Sequence, residues 1–502
     1  MSKSVEDHQS ASVPGFLRAG QIETLAPGVR GDAIRWAGGR IQEVGAAESL
    51  RRRMAPGTRE YDLPNALVAP GFVDGHTHFA SWALNRGRVE LAGARTRVEA
   101  LGRVGEAAPV DGLVLGQGWD ANLWDRPPDR WVLDAVRSGP VYLDSLDMHA
   151  AWLNSAALWA AGIDRETPDP FGGIIVRNAN GEPTGVLKER AVELVLAALP
   201  EPSPARLLTA LRDAQAEAHR LGVTGLHDVE GEPVLDAFRA LDAAGDLRLR
   251  VLFHAPVASL PSLIRRGWRS GQGSPWLTEG GIKLFLDGSL GTQTAWMLEP
   301  YEGRRDRGLP LSTLEEARLA VSTAAGAGIA IAVHAIGDAA LRRALDLVEP
   351  LARVAIPHRI EHSQCVHPQD LGRAAAAGIV ASMQPAHLLT DIPLVDRHWG
   401  GRGHGAYAFR SILEQGTAVA FGSDVPVASI DPRAGVLAAM ARCDADGAPA
   451  AGWRPEEKLA FADVLRAYTV GSAIAAGAAH RRGVPAPGCD ADFVGRCPAG
   501  PR

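Results

Sequence analysis

From Ser203 to about residue 430 the chain repeats one unit, an apolar strand-like run followed by an amphipathic helix, and this repetition restricts the fold more than any other feature. The segment SPARLLTALRDAQAEAHRLG puts Leu207, Leu211, Ala214, Ala218 and Leu221 on one helical face, with Ser203 as N-cap and Gly222 closing the helix. VTGLHDV reads as a strand, PVLDAFRALDAAG as a helix, LRVLFHA and GIKLFLDG as strands, and STLEEARLAVSTAAGAG as a helix in which Ser312 and Glu315 have capping-box spacing. The alternation continues through IAIAVHAIG, a helix over 339–351, HRIEHSQ, an Ala-rich helix, GIVASMQP, a helix near 409–415 and AVAFGSDVP. With VAPGFVDGHTH upstream there are eight strands, marked by Val68, Val223, Leu249, Ile282, Ile329, Arg359, Ile379 and Ala418. Eight parallel strands separated by helices predict an α/β chain folded as a (β/α)8 TIM barrel, whose chemistry sits where the strands end.

The barrel does not use the whole chain. Residues 14–66 alternate apolar and polar positions around a Gly38-Gly39 turn, and GVPAPGCDADFVG near the C-terminus has the same strand-like character. Together, 14–66 and 480–502 predict a small β-sandwich domain beside a barrel of 67–479. The abrupt ending FVGRCPAGPR predicts a poorly formed last strand. Between the first and second barrel strands, residues 80–202 are rich in Trp, Pro and Asp and predict an inserted subdomain, in which Trp119, Trp124 and His149 are placed to line a pocket mouth.

Composition narrows the partners. The 502 residues are 46% hydrophobic and 22% charged with a formal net charge of −6, so the chain is globular and offers no basic footprint for nucleic acid; the Arg51–Arg53 run is too short to change that. The N-terminal MSKSVEDHQSASVPGF has no apolar core of a leader, and no apolar run approaches 18 residues. Cys365, Cys443, Cys489 and Cys497 form no paired framework. A cytoplasmic protein acting on a small molecule, with no membrane or nucleic-acid partner, is the expectation.

Candidate chemistry lies at the predicted strand ends. His76 and His78 are two apart, so an extended backbone turns both imidazoles to one face, as a divalent metal requires. Lys283 lies on the fourth strand, and His334, His362 and Asp424 lie at the ends of the fifth, sixth and eighth. Each is ordinary alone; six at one depth of one barrel point to a metal centre. A bare ammonium cannot ligate a cation, so Lys283 would first have to lose its proton.

Taken together, GFVDGHTH, IKLFLDGSLGTQTA, AVHAIGDAAL, RIEHSQ, SMQP and FGSDVP resemble the amidohydrolase superfamily, and within it the YtcJ-like group that includes N-substituted formamide deformylases. GWDANLW, HAAWLNSAAL, GGIIVRNANGEPTGVLKE and PGCDADFV extend the likeness over nearly the whole chain. The resemblance implies one or two divalent ions, zinc first with manganese or iron as alternatives. His76, His78 and Asp424 would hold one, His334 and His362 the other, and Lys283, carboxylated by CO2, would bridge them. With Lys283 unmodified, a single ion on His76, His78, Asp424 and His334 is the alternative.

Asp424 would be the catalytic proton carrier in hydrolysis of a non-peptide amide C–N bond, and Trp119, His149 and Gln293 would contact substrate. Deamination is a rival, but similar deaminases place Glu three residues beyond the strand-five His, where this chain has Gly337. Lactone or ester hydrolysis and a catalytically silent scaffold are the others. Two positions depart from similar sequences, Gln293 where Arg is common and Met148 where Gly is common. Similar proteins are commonly dimers.

Overall fold

The computed structural model describes residues 13–110 and 112–496. Cys497 and the remainder of the predicted terminal segment lie outside them, as do residues 1–12. At its centre is an eight-stranded parallel sheet in sequential order: Phe72–Thr77, Val223–Val229, Arg250–Pro256, Leu277–Phe285, Ile331–Ala335, Arg359–His362, Val380–Met383 and Val419–Phe421. These are barrel strands one to eight. Strand eight returns to strand one at a seam where Asp424 N–H donates to His76 O (2.8 Å) and His78 N–H donates to Val425 O (2.9 Å). A barrel therefore closes, with no free edge.

The helical patterning is realised with small shifts. Ser203 caps Pro204–Arg220 by accepting from Arg206 N–H, and Leu207, Leu211, Ala214 and Ala218 are buried against the barrel. Gly222 closes that helix at φ 89°. The capping box lies one residue later than expected: Thr313, not Ser312, caps Leu314–Gly326 with Glu316 as its reciprocal partner. Ser312 is instead the last residue of the incoming loop, where its hydroxyl donates to Phe285 O (2.9 Å).

The first strand also corrects the reading. Val68 belongs to Arg59–Pro70, a long strand of a separate sheet, and the barrel strand starts only at Phe72. Gly71 separates the two, and a Cβ there would strike the Thr224 side chain at 2.3 Å.

Arg59–Pro70 lies between Gly15–Ile22 and Phe493–Arg496 in a five-stranded sheet, completed by the Ala33–Ala37 and Arg40–Gly45 hairpin. That hairpin turns on Gly38 and Gly39, both at positive φ (58° and 72°), the type of turn that follows strand twist. Among the described residues this terminal unit is one sheet rather than a two-layer sandwich. Leu17, Ile34, Ile41 and Val68 form its main apolar cluster, while Phe16 and Ala33 pack on the short helix Ala47–Arg51. The final strand is well paired, Phe493–Arg496 running antiparallel to Leu67–Pro70.

The insertion has its own six-stranded sheet, in the order Gly173–Arg177, Pro183–Glu189, Ala150–Leu153, Val141–Ser145, Val114–Trp119 and Val89–Glu90. Its core contains Trp119, Trp124 and Trp152, packed edge-on or tilted with ring centroids 5.5–6.3 Å apart. No helix among the described residues is long and apolar enough to cross a membrane.

Candidate active site

The C-terminal ends of the barrel strands bring all six predicted polar residues into one cluster, buried except for the half-buried His78. His76 and Lys283 are at most 1% exposed, His334 1%, His362 5% and Asp424 7%. His76 Nε2 is 3.5 Å and His78 Nε2 3.4 Å from Asp424 Oδ1, while His362 Nδ1 is 4.0 Å from Asp424 Oδ2. The most compact set is His76, His362 and Asp424, with one donor atom from each lying within 4.8 Å of the others. This trio spans the two ligand sets that the resemblance implied. His334 completes the arc, its ring 4.4 Å from that of His362.

Backbone shape makes the gathering possible. Regular alternation along strand six would put Glu361 and His362 on opposite faces, but His362 has φ 69° and Ser363 φ 43°, which ends the strand at this imidazole. Asp424 has φ 60°. Non-glycine residues in the left-handed region at two such positions mark a backbone held by its surroundings against its own preference.

Three of the four imidazoles are oriented by a specific partner. His76 Nδ1 is 2.5 Å from Glu361 Oε2, and His78 Nδ1 is 2.8 Å from Val229 O; both leave Nε2 facing the cluster. His334 Nε2 donates to Gly288 O (3.2 Å), which leaves Nδ1 as its lone-pair nitrogen. His334 Nδ1 and His362 Nδ1 are buried with no hydrogen-bond partner. Buried acceptors without donors are costly, and a cation satisfies them. With a nearby carboxylate and three more imidazole or amine nitrogens, the donor set fits a borderline divalent ion.

Electrostatics agree with this geometry. Burial pushes His76 down to about 4, reinforced by Lys283, so the ring is a neutral donor at pH 7. His362 and His334 are also held well below the usual range by burial. Burial would raise the Asp424 carboxyl, but His76, His78 and His362 hold it well below the usual carboxylate range. Lys283 is lowered to about 8 by burial, against the pull of Glu361 and Asp424; its Nζ lies 3.3 Å from His76 Nε2 and 4.6 Å from the Phe285 ring centre.

Several participants escaped the sequence reading. Glu361 is the partner of His76. Arg359 and Glu361, two apart and therefore on one face of strand six, both point into the barrel; Arg359 also meets His227 Nδ1 at 2.8 Å, Ser382 Oγ at 2.7 Å and Gly75 O. Asp74 is buried and accepts from Ser423 Oγ (2.5 Å) and Ser423 N–H (2.8 Å), fastening strand one to the loop that carries Asp424. Asp287 accepts from Trp296, Ile336 and Gly337 N–H, fixing the loops beyond strands four and five. The Arg-x-Glu-His spacing was the available signal for the first pair; the two aspartates gave none.

A cavity of about 930 Å³ opens from this cluster, lined by His362 and Asp424 at one end and by Trp119, Trp124, Val176, Val186, Leu389 and Leu394 elsewhere. Trp119 and Trp124 spend their Nε1 donors on Leu143 O (2.8 Å) and Ala94 O (2.9 Å), so neither indole brings a free donor to the wall. His149 lines the cavity beside the metal-type cluster, its ring 5.4 Å from His334. Gln293 lines the cavity too, with its side-chain oxygen engaged by Arg304, so an arginine reaches this corner from eleven residues downstream. At Gly337 a Cβ would meet Trp296 O at 2.1 Å, so no side chain fits at the position of the deaminase shuttle.

Comparison with known proteins follows the same outline. Residues 59–494 match the amidohydrolase family model, beginning with the long strand that leads into the barrel. The putative amidohydrolase YtcJ of Bacillus subtilis is 32% identical over 94% of this chain and 91% of its own length. The N-substituted formamide deformylase of Arthrobacter pascens is 28% identical over 90% of this chain and 87% of its own. Among solved structures, an uncharacterized metal-dependent hydrolase from Pyrococcus horikoshii superposes with a TM-score of 0.80 at 27% identity, covering 97% of this chain and 98% of the other. The chain belongs to the amidohydrolase family.

Proposed function

We propose that the chain is a metal-dependent hydrolase of a non-peptide amide C–N bond, acting on an N-formyl or N-acyl amine that carries a large apolar group. The observation that carries this reading is the buried His/Asp/Lys cluster at the strand ends, with two partnerless imidazole nitrogens, opening into a largely apolar cavity. The formamide deformylase relative supports the amide, and the indole wall supports the apolar group. His76, His78, Asp424, His334 and His362 would hold one or two divalent ions, zinc being the ion that imidazole and carboxylate donors suit best. Lys283, lowered by burial to about 8 with its Nζ beside an imidazole nitrogen, gives up its proton more readily than an exposed lysine, as addition to CO2 requires, and the resulting carbamate would offer an anionic oxygen ligand.

When bound, such an ion lowers the pKa of a water to about 7. The chain's own residues do the rest. Asp424, ionised and in reach of His76, His78 and His362, takes the water proton and delivers it to the departing nitrogen. The cavity walls hold the apolar group of the substrate and exclude bulk water. The free thiols Cys365, Cys443 and Cys489 suit a reducing cytoplasm.

The test is a panel of N-substituted formamides, N-acyl amino acids, carbamates and lactones, assayed with zinc-, manganese- and iron-loaded protein. We expect turnover of aryl-alkyl formamides or acetamides, at least one equivalent of metal per chain, and loss of about 10³-fold in kcat for Asp424→Asn. Turnover confined to amino-heterocycles or lactones overturns the amide assignment.

A further inference from the structure

The inserted subdomain does more than cover the barrel: it brings an imidazole to the cluster. His149 follows Asp147 and Met148 in a turn between two insert strands, and Met148 is held there at φ 59°. Its Nδ1 is 2.8 Å from Glu189 Oε2, and its main-chain oxygen accepts from Glu189 N–H (2.8 Å), so the same residue fixes both the ring and the backbone of His149. Glu189 is itself at φ 53° and almost fully buried. Its other carboxylate oxygen accepts from Thr294 Oγ1 and from Thr292 Oγ1 (3.3 Å), both in the loop that follows Lys283. Gly288 in that loop allows the approach, because a Cβ there would lie 2.1 Å from Glu189 Oε1. Asp147 adds a second tie by accepting from Ser289 Oγ (2.5 Å).

This is a carboxylate–imidazole pair whose free nitrogen is Nε2, on a residue that lines the same cavity as Asp424 and stands next to His334. Two strained non-glycine residues, a buried carboxylate and a glycine-dependent loop all serve the position of one ring. A merely structural histidine does not need them.

Building on the amide-hydrolase reading above, we propose that His149 is a further catalytic residue, donating a hydrogen bond from Nε2 to the carbonyl oxygen of the scissile amide as that oxygen gains charge, with Glu189 as its positioning residue. When the water oxygen adds to the carbonyl carbon, the π pair moves onto oxygen and the His149 donor meets it there; the proton stays on Nε2. On collapse the pair re-forms the carbonyl, the C–N bond breaks, and the nitrogen takes the proton that Asp424 removed from water. Glu361, the partner of His76, already has Arg359 as its counter-charge, whereas among the described residues the buried Glu189 carboxylate accepts otherwise from threonine hydroxyls, so the His149 ring is its counter-charge and carries a proton on both nitrogens. Donors of this kind act where charge develops, and removing one costs about 10²–10³ in kcat.

The experiment uses zinc-loaded full-length protein with N-phenethylformamide and N-phenethylacetamide as substrates and the methylphosphonamidate of phenethylamine as the tetrahedral mimic. For His149→Ala we expect kcat to fall about 10²-fold or more with KM changed less than threefold, and affinity for the phosphonamidate, read by calorimetry, to fall in parallel while affinity for phenethylamine is unchanged. His149→Gln, whose side-chain amide can reach the Nε2 position, should recover at least tenfold over His149→Ala, and Glu189→Gln should lie between that variant and the parent. Metal content and melting temperature of each variant confirm an intact site. A His149→Ala protein of normal metal content that keeps kcat within threefold, or that loses amine and phosphonamidate affinity equally, overturns the role of His149. A parent protein that hydrolyses neither amide overturns the reading on which it rests.

Discussion

At the scale of single residues, the site depends on groups one step removed from the cluster. Glu361 and Arg359 are each about 1% exposed or less, and together they tie strand six to strands one, two and seven inside the barrel. Two buried opposite charges are tolerable because each is hydrogen-bonded several times over. Glu361→Gln would keep the shape while removing the charge that orients His76 Nδ1–H. We expect its zinc affinity, measured by chelator competition, to fall 10- to 100-fold with the fold intact. Unchanged affinity would mean that Glu361 balances only Arg359. The six clustered residues were legible in the sequence because each ends a strand in a repeating pattern. Glu361, Asp74 and Asp287 were not, because the atoms they fasten belong to chain segments far away in sequence.

At the scale of elements, the repeat disclosed the eight barrel strands, yet it misplaced the first by one punctuation mark. V-A-P-G-F-V is apolar throughout, and only packing shows that Pro70 and Gly71 end one strand and admit another. The insert was legible as a composition change but not as a sheet, since its short strands pair both parallel and antiparallel around clustered indoles. Met148 illustrates a local preference overruled: similar sequences commonly carry Gly there, and φ 59° explains why. Met148→Gly should raise stability by about 1 kcal/mol in urea denaturation, since relief of left-handed strain exceeds the added freedom of the unfolded chain. Destabilisation instead would show that the partly buried Met148 side chain packs well enough to outweigh that strain.

For the whole molecule, the barrel rests on histidines that must stay neutral. His254 Nδ1 accepts from Gly281 N–H (2.9 Å), and His358 Nδ1 accepts from Ile331 N–H (3.2 Å). Burial holds both below the ordinary value of 6.5, His254 well below, with Arg359 adding to the effect there. Because the unfolded chain takes up these protons more readily, the contribution is full above pH 6.5 and is lost as pH falls below it, by up to about 1.4 kcal/mol per pH unit for each group. Urea midpoints at pH 7.5, 6.5 and 5.5 should therefore decline. His358→Asn, which keeps an acceptor at the Nδ1 position, should decline less steeply; an identical slope would assign the acid loss to other groups.

The seam between strands one and eight has a consequence for how the chain comes into being. His76 and His78 leave the ribosome with the first barrel strand, whereas Asp424 follows the eighth, and the strand Phe493–Arg496 that pairs with the run into strand one comes later still. Until then His76 and His78 wait beside an open barrel edge. The cluster is thus completed only after strand eight is made, and a ribosome that stops before Asp424 releases a protein with five of the six clustered residues and no closed barrel to hold them together.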